Sequence, residues 1–296
     1  MSETTRRRFL QGCAAGAVAG VPVTLAGIEP IARNGTAKFK FSLAAYSYRN
    51  LLKSGELTLS DFIADCAKMQ LEGAELTSYY FPKIVTDEYL RQLKSECFRA
   101  GLAVSGTAVG NDFGHAAGET RDKQIADVKR WVDYAETLGA PAIRIFAGHK
   151  HDGVDDAEAH RLMVAGIEEC CDYAGKHGVY LALENHGGPT STAEGLLKFV
   201  RDVQSPWFGI NLDTGNFHSD NLYGELEQVV PYAVNVQVKV VVHGPDKVKK
   251  PADFDHLAKI LDGAGYRGFV VLEYEEDGDP RQECPRYADL LREAFS

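Results

Sequence analysis

Val234-Asn235-Val236-Gln237-Val238-Lys239-Val240 reads as a β-strand with two unlike faces. Side chains alternate across a strand with period two. Val236, Val238 and Val240 therefore share one surface, and Asn235, Gln237 and Lys239 share the other. Three further segments repeat the pattern. In 181–188 (LALENHGG), Leu181 and Leu183 oppose Ala182 and Glu184. In 210–217 (INLDTGNF), Ile210 and Leu212 oppose Asn211 and Asp213, and 270–276 (VVLEYEE) brings Glu273 to a strand end. If the aliphatic faces meet covering helices, three carboxylates, an amide and a lysine converge on the opposite side. Buried charges are costly unless paired or bound to a metal. Such convergence implies a metal site, and with it chemistry.

Outward from these segments, strand-like and helix-like stretches alternate from about residue 36 to the end of the chain. Strands are expected near 39–46, 73–77, 102–108, 142–147, 179–184, 207–212, 234–240 and 269–273. Thr58 and Thr86 are expected to cap helices, and Gly101, Gly139 and Gly178 to end them. Eight such alternations, without a linker or a repeat, predict an α/β single domain over 36–296, a (β/α)8 TIM barrel. A doubly wound open sheet is the alternative. Against it, the first strand runs into Ala45-Tyr46-Ser47-Tyr48-Arg49-Asn50 instead of a glycine-rich phosphate loop. Active sites of such barrels lie at the C-terminal strand ends. Glu75, Arg144, Glu184, Asp213, Gln237, Lys239 and Glu273 all fall there, with Arg144 expected to face the lumen.

The chain has 296 residues and a formal net charge of −10, which argues against a nucleic-acid partner. Residues 1–35 are expected to form a signal peptide and leader. Arg6-Arg7-Arg8-Phe9-Leu10 precedes an apolar stretch from Cys13 to about Ala26, a basic and then apolar order that marks export. The paired arginines resemble a twin-arginine signal, implying the twin-arginine export machinery as a partner and a periplasmic location. The stretch is short for a membrane span, so no stable membrane anchor is expected. Cys66, Cys97, Cys170, Cys171 and Cys284 show no repeated spacing and are expected as buried free thiols.

The four strand-end segments resemble those of the xylose isomerase-like TIM barrels, a family of sugar isomerases, epimerases and endonuclease IV-type enzymes. The family pattern is Glu, Asp, His, Glu around one divalent metal. Carried onto this chain, the resemblance implies Glu184, Asp213, Gln237 and Glu273 as the metal ligands. Gln237 stands where histidine is usual, and His243, six residues on, competes for that place or contacts substrate. An all-oxygen donor set favours Mn²⁺, with Mg²⁺ or Co²⁺ as alternatives. The resemblance also implies Glu184 and Glu273 as the acid/base pair. By its parity with Glu184, His186 is a further catalytic candidate, as is Lys239 beside a developing oxyanion, and strand-end position makes Glu75, Arg144 and Tyr46 candidate substrate contacts.

Each assignment has a structural alternative. The carboxylates could form ion pairs with Arg144 and Lys239, Gln237 could be a satisfied lumen amide, and Glu75 could simply pair with Arg144. His149 and His151 read as a solvated loop, Asn216 and His218 as loop caps, and Tyr79, Tyr80 and Phe81 as stacking or packing groups. The implied activity is isomerisation or epimerisation of a keto-sugar through an enediolate, with a carbohydrate as the small-molecule partner. A lyase or dehydratase acting on a keto-sugar or 3-keto-glycoside, and a non-catalytic sugar-binding barrel, are the alternatives. Homo-oligomerisation is an open expectation.

Overall fold

The structure, a computed structural model, describes residues 27–296. Strands β1 (Lys38–Ala44), β2 (Gly73–Thr77), β3 (Ala103–Ala108), β4 (Ala142–Ile145), β5 (Tyr180–Glu184), β6 (Phe208–Asp213) and β7 (Ala233–Lys239) pair in chain order. A short antiparallel ribbon, β8 (Val241–His243) with β9 (Lys249–Pro251), follows before β10 (Arg267–Glu273) closes the barrel between β7 and β1. All eight barrel pairings are parallel. The expected barrel is therefore what the chain forms. The ribbon was not expected, and it takes in Lys249 and Lys250.

Helices α1 (Arg49–Ser54), α2 (Leu59–Lys68), α3 (Asp87–Arg99), α4 (Glu119–Leu138), α5 (Asp156–Lys176), α6 (Ala193–Asp202), α7 (Leu222–Val229), α8 (Phe254–Gly263) and α9 (Pro280–Ala294) surround the strands. Thr58 and Asp61 form a reciprocal capping box on α2, and Thr86 accepts the Tyr89 N–H at the start of α3. Both satisfy donors that a helix start leaves unpaired. Gly139 takes a left-handed φ of 78° where α4 ends, a conformation open to glycine without a Cβ penalty.

The valine and leucine faces meet these helices. Val236, Val238, Val270, Leu272, Leu181, Leu183, Ile210 and Leu212 are all buried, as are stripe residues such as Leu196, Phe199 and Val200 of α6. Each such side chain contributes roughly 1.5–3 kcal/mol relative to exposure. The five described cysteines are free and buried in the same layer, as expected.

Deep in the lumen, Ser42 and Ser105 share a 2.7 Å hydrogen bond. Gly73 admits the Phe269 ring there, since a Cβ on Gly73 would stand 2.8 Å from it. Packed apolar and small groups thus fill the lower barrel and leave the polar ends to form the upper one.

Residues 28–33, assigned to the leader by the sequence, lie against the N-terminal rim. Ile28 N–H donates to Val200 O, Ile31 N–H to Pro231 O, and the Arg33 guanidinium to Ala233 O. The paired arginines and the apolar stretch to Ala26 lie outside the described residues. Among the described residues no helix is long and apolar enough to cross a membrane.

Candidate active site

On β7, alternation delivers Asn235, Gln237 and Lys239 to the lumen, each to a different depth. Asn235 and Gln237 join Asn211 and Glu75 in a closed hydrogen-bonded ring. Gln237 Nε2 donates to Glu75 Oε1 at 2.7 Å, and Asn211 Nδ2 donates to Gln237 Oε1 at 2.6 Å. Asn235 Nδ2 reaches both Asn211 Oδ1 (2.8 Å) and Glu75 Oε2 (3.0 Å). Gly106 lies beside this carboxylate, next to an irregularity in the β2–β3 register. Burial, reinforced by the nearby Glu273 charge, pushes Glu75 up to about 7 despite its amide donors. The partners of Glu75 are thus amides, with Arg144 paired elsewhere.

Above the ring stand the carboxylates of β5, β6 and β10. Glu184 Oε2 lies 2.9 Å from Arg144 Nε, and Glu184 Oε1 is 2.8 Å from His186 Nδ1 and accepts from Asn216 Nδ2 at 3.0 Å. Burial opposes the Glu184 charge, but Arg144 and His186 outweigh it and hold the carboxyl below its ordinary range. Arg144 is itself fixed by Val109 O at 2.9 Å and by the Phe146 ring, 4.0 Å beneath the guanidinium.

Asp213 is wholly buried, with Oδ1 accepting from Gly215 N–H and Oδ2 accepting no hydrogen bond from the described residues. Its nearest cation is Lys239, whose Nζ stands 3.3 Å from Oδ2. The same ammonium donates to Glu273 Oε2 at 2.5 Å and lies 2.9 Å from Glu275. Burial pushes Asp213 and Glu273 upward, and neighbouring carboxylates add to the shift against the pull of Lys239. Burial alone would lower Lys239, yet Asp213, Glu273 and Glu275 keep it firmly protonated.

Asn185, which the sequence reading passed over, is the clamp that sets Asp213. Its Oδ1 accepts the Asp213 N–H at 2.9 Å, and its Nδ2 donates to the Asp213 carbonyl at 2.8 Å. Thr214 then ties the ends of β6 and β7 together through Lys239 N–H and Gln237 O. The available signal in the sequence was an asparagine one residue past a strand-end glutamate.

The chemistry of the set suits a hard divalent cation on three counts, while among the described residues only Asp112, His115 and His151 bring three carboxylate or imidazole ligand atoms within 4.8 Å of one another. All four expected ligands offer oxygen. Asp213 Oδ2 is buried, and among the described residues its one polar neighbour is the shared Lys239 ammonium at 3.3 Å, outside hydrogen-bond geometry. Glu184, Asp213, Glu273 and Glu275 outnumber the cations Arg144 and Lys239 by two. Gln237 Oε1 gives one lone pair to Asn211 and keeps a second.

The other expected residues surround this centre or leave it. His186 is on the rim, its side chain 56% exposed and its ring 4.4 Å from that of Phe146. Tyr46 follows β1 beside Tyr79 and under Arg49, and Glu275 and Glu273 help burial raise its hydroxyl pKa. His243 sits on the ribbon strand β8, its ring 5.6 Å from that of His218, beyond the end of β7. His151 is more than a solvated loop residue. It converges with His115 and Asp112, whose ligand atoms all lie within 4.8 Å of one another. Asp112 and His115 escaped the sequence reading because they come from a different loop, after β3.

Comparisons with known proteins agree with this architecture. Hydroxypyruvate isomerase of Escherichia coli (strain K12) is 24% identical over 230 residues, 73% of this chain and 88% of that one. Relatives from Mus musculus and Homo sapiens are 26% and 25% identical, but the chain spans only 58% of their length. D-psicose 3-epimerase from Clostridium cellulolyticum H10, solved with D-tagatose, superposes with a TM-score of 0.71 at 17% identity, covering 87% of this chain and 99% of that one. Residues 63–294 match the family described as xylose isomerase-like TIM barrel. With that match across most of the barrel, the chain belongs to the xylose isomerase-like TIM barrel family.

Proposed function

We propose that the protein is a divalent-metal-dependent isomerase or epimerase that moves a proton on a small keto-sugar. The observation carrying this reading is the buried Asp213 carboxylate, which shares the one Lys239 ammonium with Glu273 and Glu275 and lies near the Glu184 charge. The named activities of the relatives, sugar epimerisation and hydroxypyruvate isomerisation, support it.

Glu184, Asp213, Gln237 and Glu273 would hold the ion, with Mn²⁺ best suited to them. When bound, it would supply Lewis acidity to the carbonyl and neighbouring hydroxyl oxygens of the substrate. The remaining work belongs to the side chains. Glu184 and Glu273 come from β5 and β10, on different sides of the lumen. One takes the proton from the carbon beside the carbonyl, and the other delivers a proton. Arg144 fixes the Glu184 carboxylate, and Lys239 fixes Glu273 while presenting an ammonium to negative charge developing on the substrate oxygen. His186, exposed on the rim and hydrogen-bonded to Glu184, is placed to contact a substrate hydroxyl. An exported enzyme of this kind would act on an unphosphorylated sugar in the periplasm.

Calorimetric titration of Mn²⁺ into metal-stripped protein, followed by incubation with ketoses and NMR of the products, tests the reading. Binding of one equivalent and interconversion of ketose isomers are expected. A product with a new conjugated double bond would turn the assignment to a lyase. Sugar binding without metal uptake or turnover would leave a binding barrel.

A further inference from the structure

We infer that Asp112, His115 and His151 form a second metal site, one for a Zn²⁺-class ion, which clasps two loops at the mouth of the barrel. Asp112 and His115 follow β3, and His151 follows β4. Both imidazoles aim Nε2 at one atom, Asp112 Oδ2, at 3.0 Å from His151 and 3.7 Å from His115. Their rings stack at 3.9 Å with an 18° tilt. An ion held tetrahedrally by bonds of ~2.0–2.1 Å keeps its ligand atoms ~3.3 Å apart, a value these two distances bracket.

The surroundings are built to present that oxygen. Asp112 Oδ1 is occupied by the N–H groups of Gly114 (2.9 Å) and His149 (3.0 Å), which leaves Oδ2 to the imidazoles. Such outer hydrogen bonds fix the orientation of a ligating carboxylate. Gly148 has φ of 106°, and a Cβ there would stand 2.1 Å from Asp112 Oδ1, so only glycine allows the approach. Gly114 is equally constrained, since a Cβ on it would meet the His149 carbonyl at 1.8 Å. The Asn111 side chain bonds both the N–H and the carbonyl of Phe146, and the Arg121 guanidinium braces Phe113 O and His115 O. Two loops are thus locked together before any ion arrives. The three side chains remain partly exposed, which gives an ion access and leaves a coordination position to water.

Donor chemistry separates this site from the lumen. Two imidazoles and a carboxylate suit borderline ions such as Zn²⁺ and Co²⁺, whereas the all-oxygen lumen set suits Mn²⁺. The inference stands independently of the proposed activity.

The test is titration of Zn²⁺ by calorimetry, and of Co²⁺ by visible absorption, into the metal-stripped full chain. His115→Gln, His151→Gln and Asp213→Asn are measured in parallel, with circular dichroism confirming their folds. Binding that weakens at least tenfold in each histidine variant and persists in Asp213→Asn is expected, with a Co²⁺ spectrum of low coordination number. Binding lost only in Asp213→Asn, or unchanged in both folded histidine variants, would overturn the site, as would absence of Zn²⁺ uptake by the parent protein. Failure of the lumen to take Mn²⁺ would leave these outcomes unchanged, so the two assignments fail separately.

Discussion

At Lys239 a single ammonium serves three carboxylates, and among the described residues Asp213 Oδ2 has only that shared charge, at 3.3 Å, for a partner. That imbalance makes Asp213 the most sensitive residue for ion binding. Asp213→Asn should weaken Mn²⁺ at least 10- to 100-fold by calorimetry, since losing even an outer partner of a ligand costs that much. Glu184→Gln and Glu273→Gln should each lower kcat/KM by about 10²–10⁴, the range for a lost acid or base. Near-wild-type turnover in either variant would remove that residue from the proton path. Glu75 gives a pH prediction for the metal-free protein. Its carboxyl is pushed up to about 7 from an ordinary 4.5, so the folded state holds this proton more tightly than the unfolded chain does. The stabilisation is complete below the ordinary value and is lost as pH rises through about 7, an effect of up to about 3 kcal/mol. Urea denaturation at pH 5.5 and pH 8 should show lower stability at pH 8, with the difference reduced in Glu75→Gln. An unreduced difference would mean that Glu75 does not carry the effect.

At the scale of elements, period-two alternation exposed both faces of β5, β6 and β7, because each strand meets helices on one side and the lumen on the other. Val236 and Val238 against Gln237 and Lys239 needed no partner strand to be read. What pairs across the lumen was not legible in this way. The ring joining Glu75 to Asn211, Asn235 and Gln237 depends on barrel closure and register, which local spacing does not encode. The Asp112, His115 and His151 convergence has the same origin, two loops brought together by β3–β4 pairing. The ribbon of β8 and β9 was hidden because Lys249-Lys250-Pro251 carries no strand-like apolar pattern. Helix starts were the easier case, since Thr58 and its partner Asp61 lie three residues apart. Thr58→Ala should cost about 1 kcal/mol in chemical denaturation by removing that cap. A change below the measurement error would show that water replaces it at no cost.

Across the whole molecule, a packed lower lumen supports a charged upper one, and the strand ends carry an excess of negative charge. A bound ion should therefore stabilise the fold as well as serve chemistry. Mn²⁺ at 100 times its dissociation constant should add about 2.7 kcal/mol to stability, seen as a rise in Tm that EDTA reverses and that Asp213→Asn diminishes. In the proposed reaction Glu184 and Glu273 exchange a substrate proton in this lumen. Its most direct test incubates Mn²⁺-loaded protein with a ketose in D2O and follows the carbon beside the carbonyl by NMR. Deuterium should enter that carbon with the parent protein and fail to enter with whichever of Glu184→Gln and Glu273→Gln removes the base that faces its proton, while both variants lose conversion to the isomeric ketose. Exchange retained in both variants, or absent from the metal-loaded parent across the ketoses tested, would contradict proton transfer by this pair.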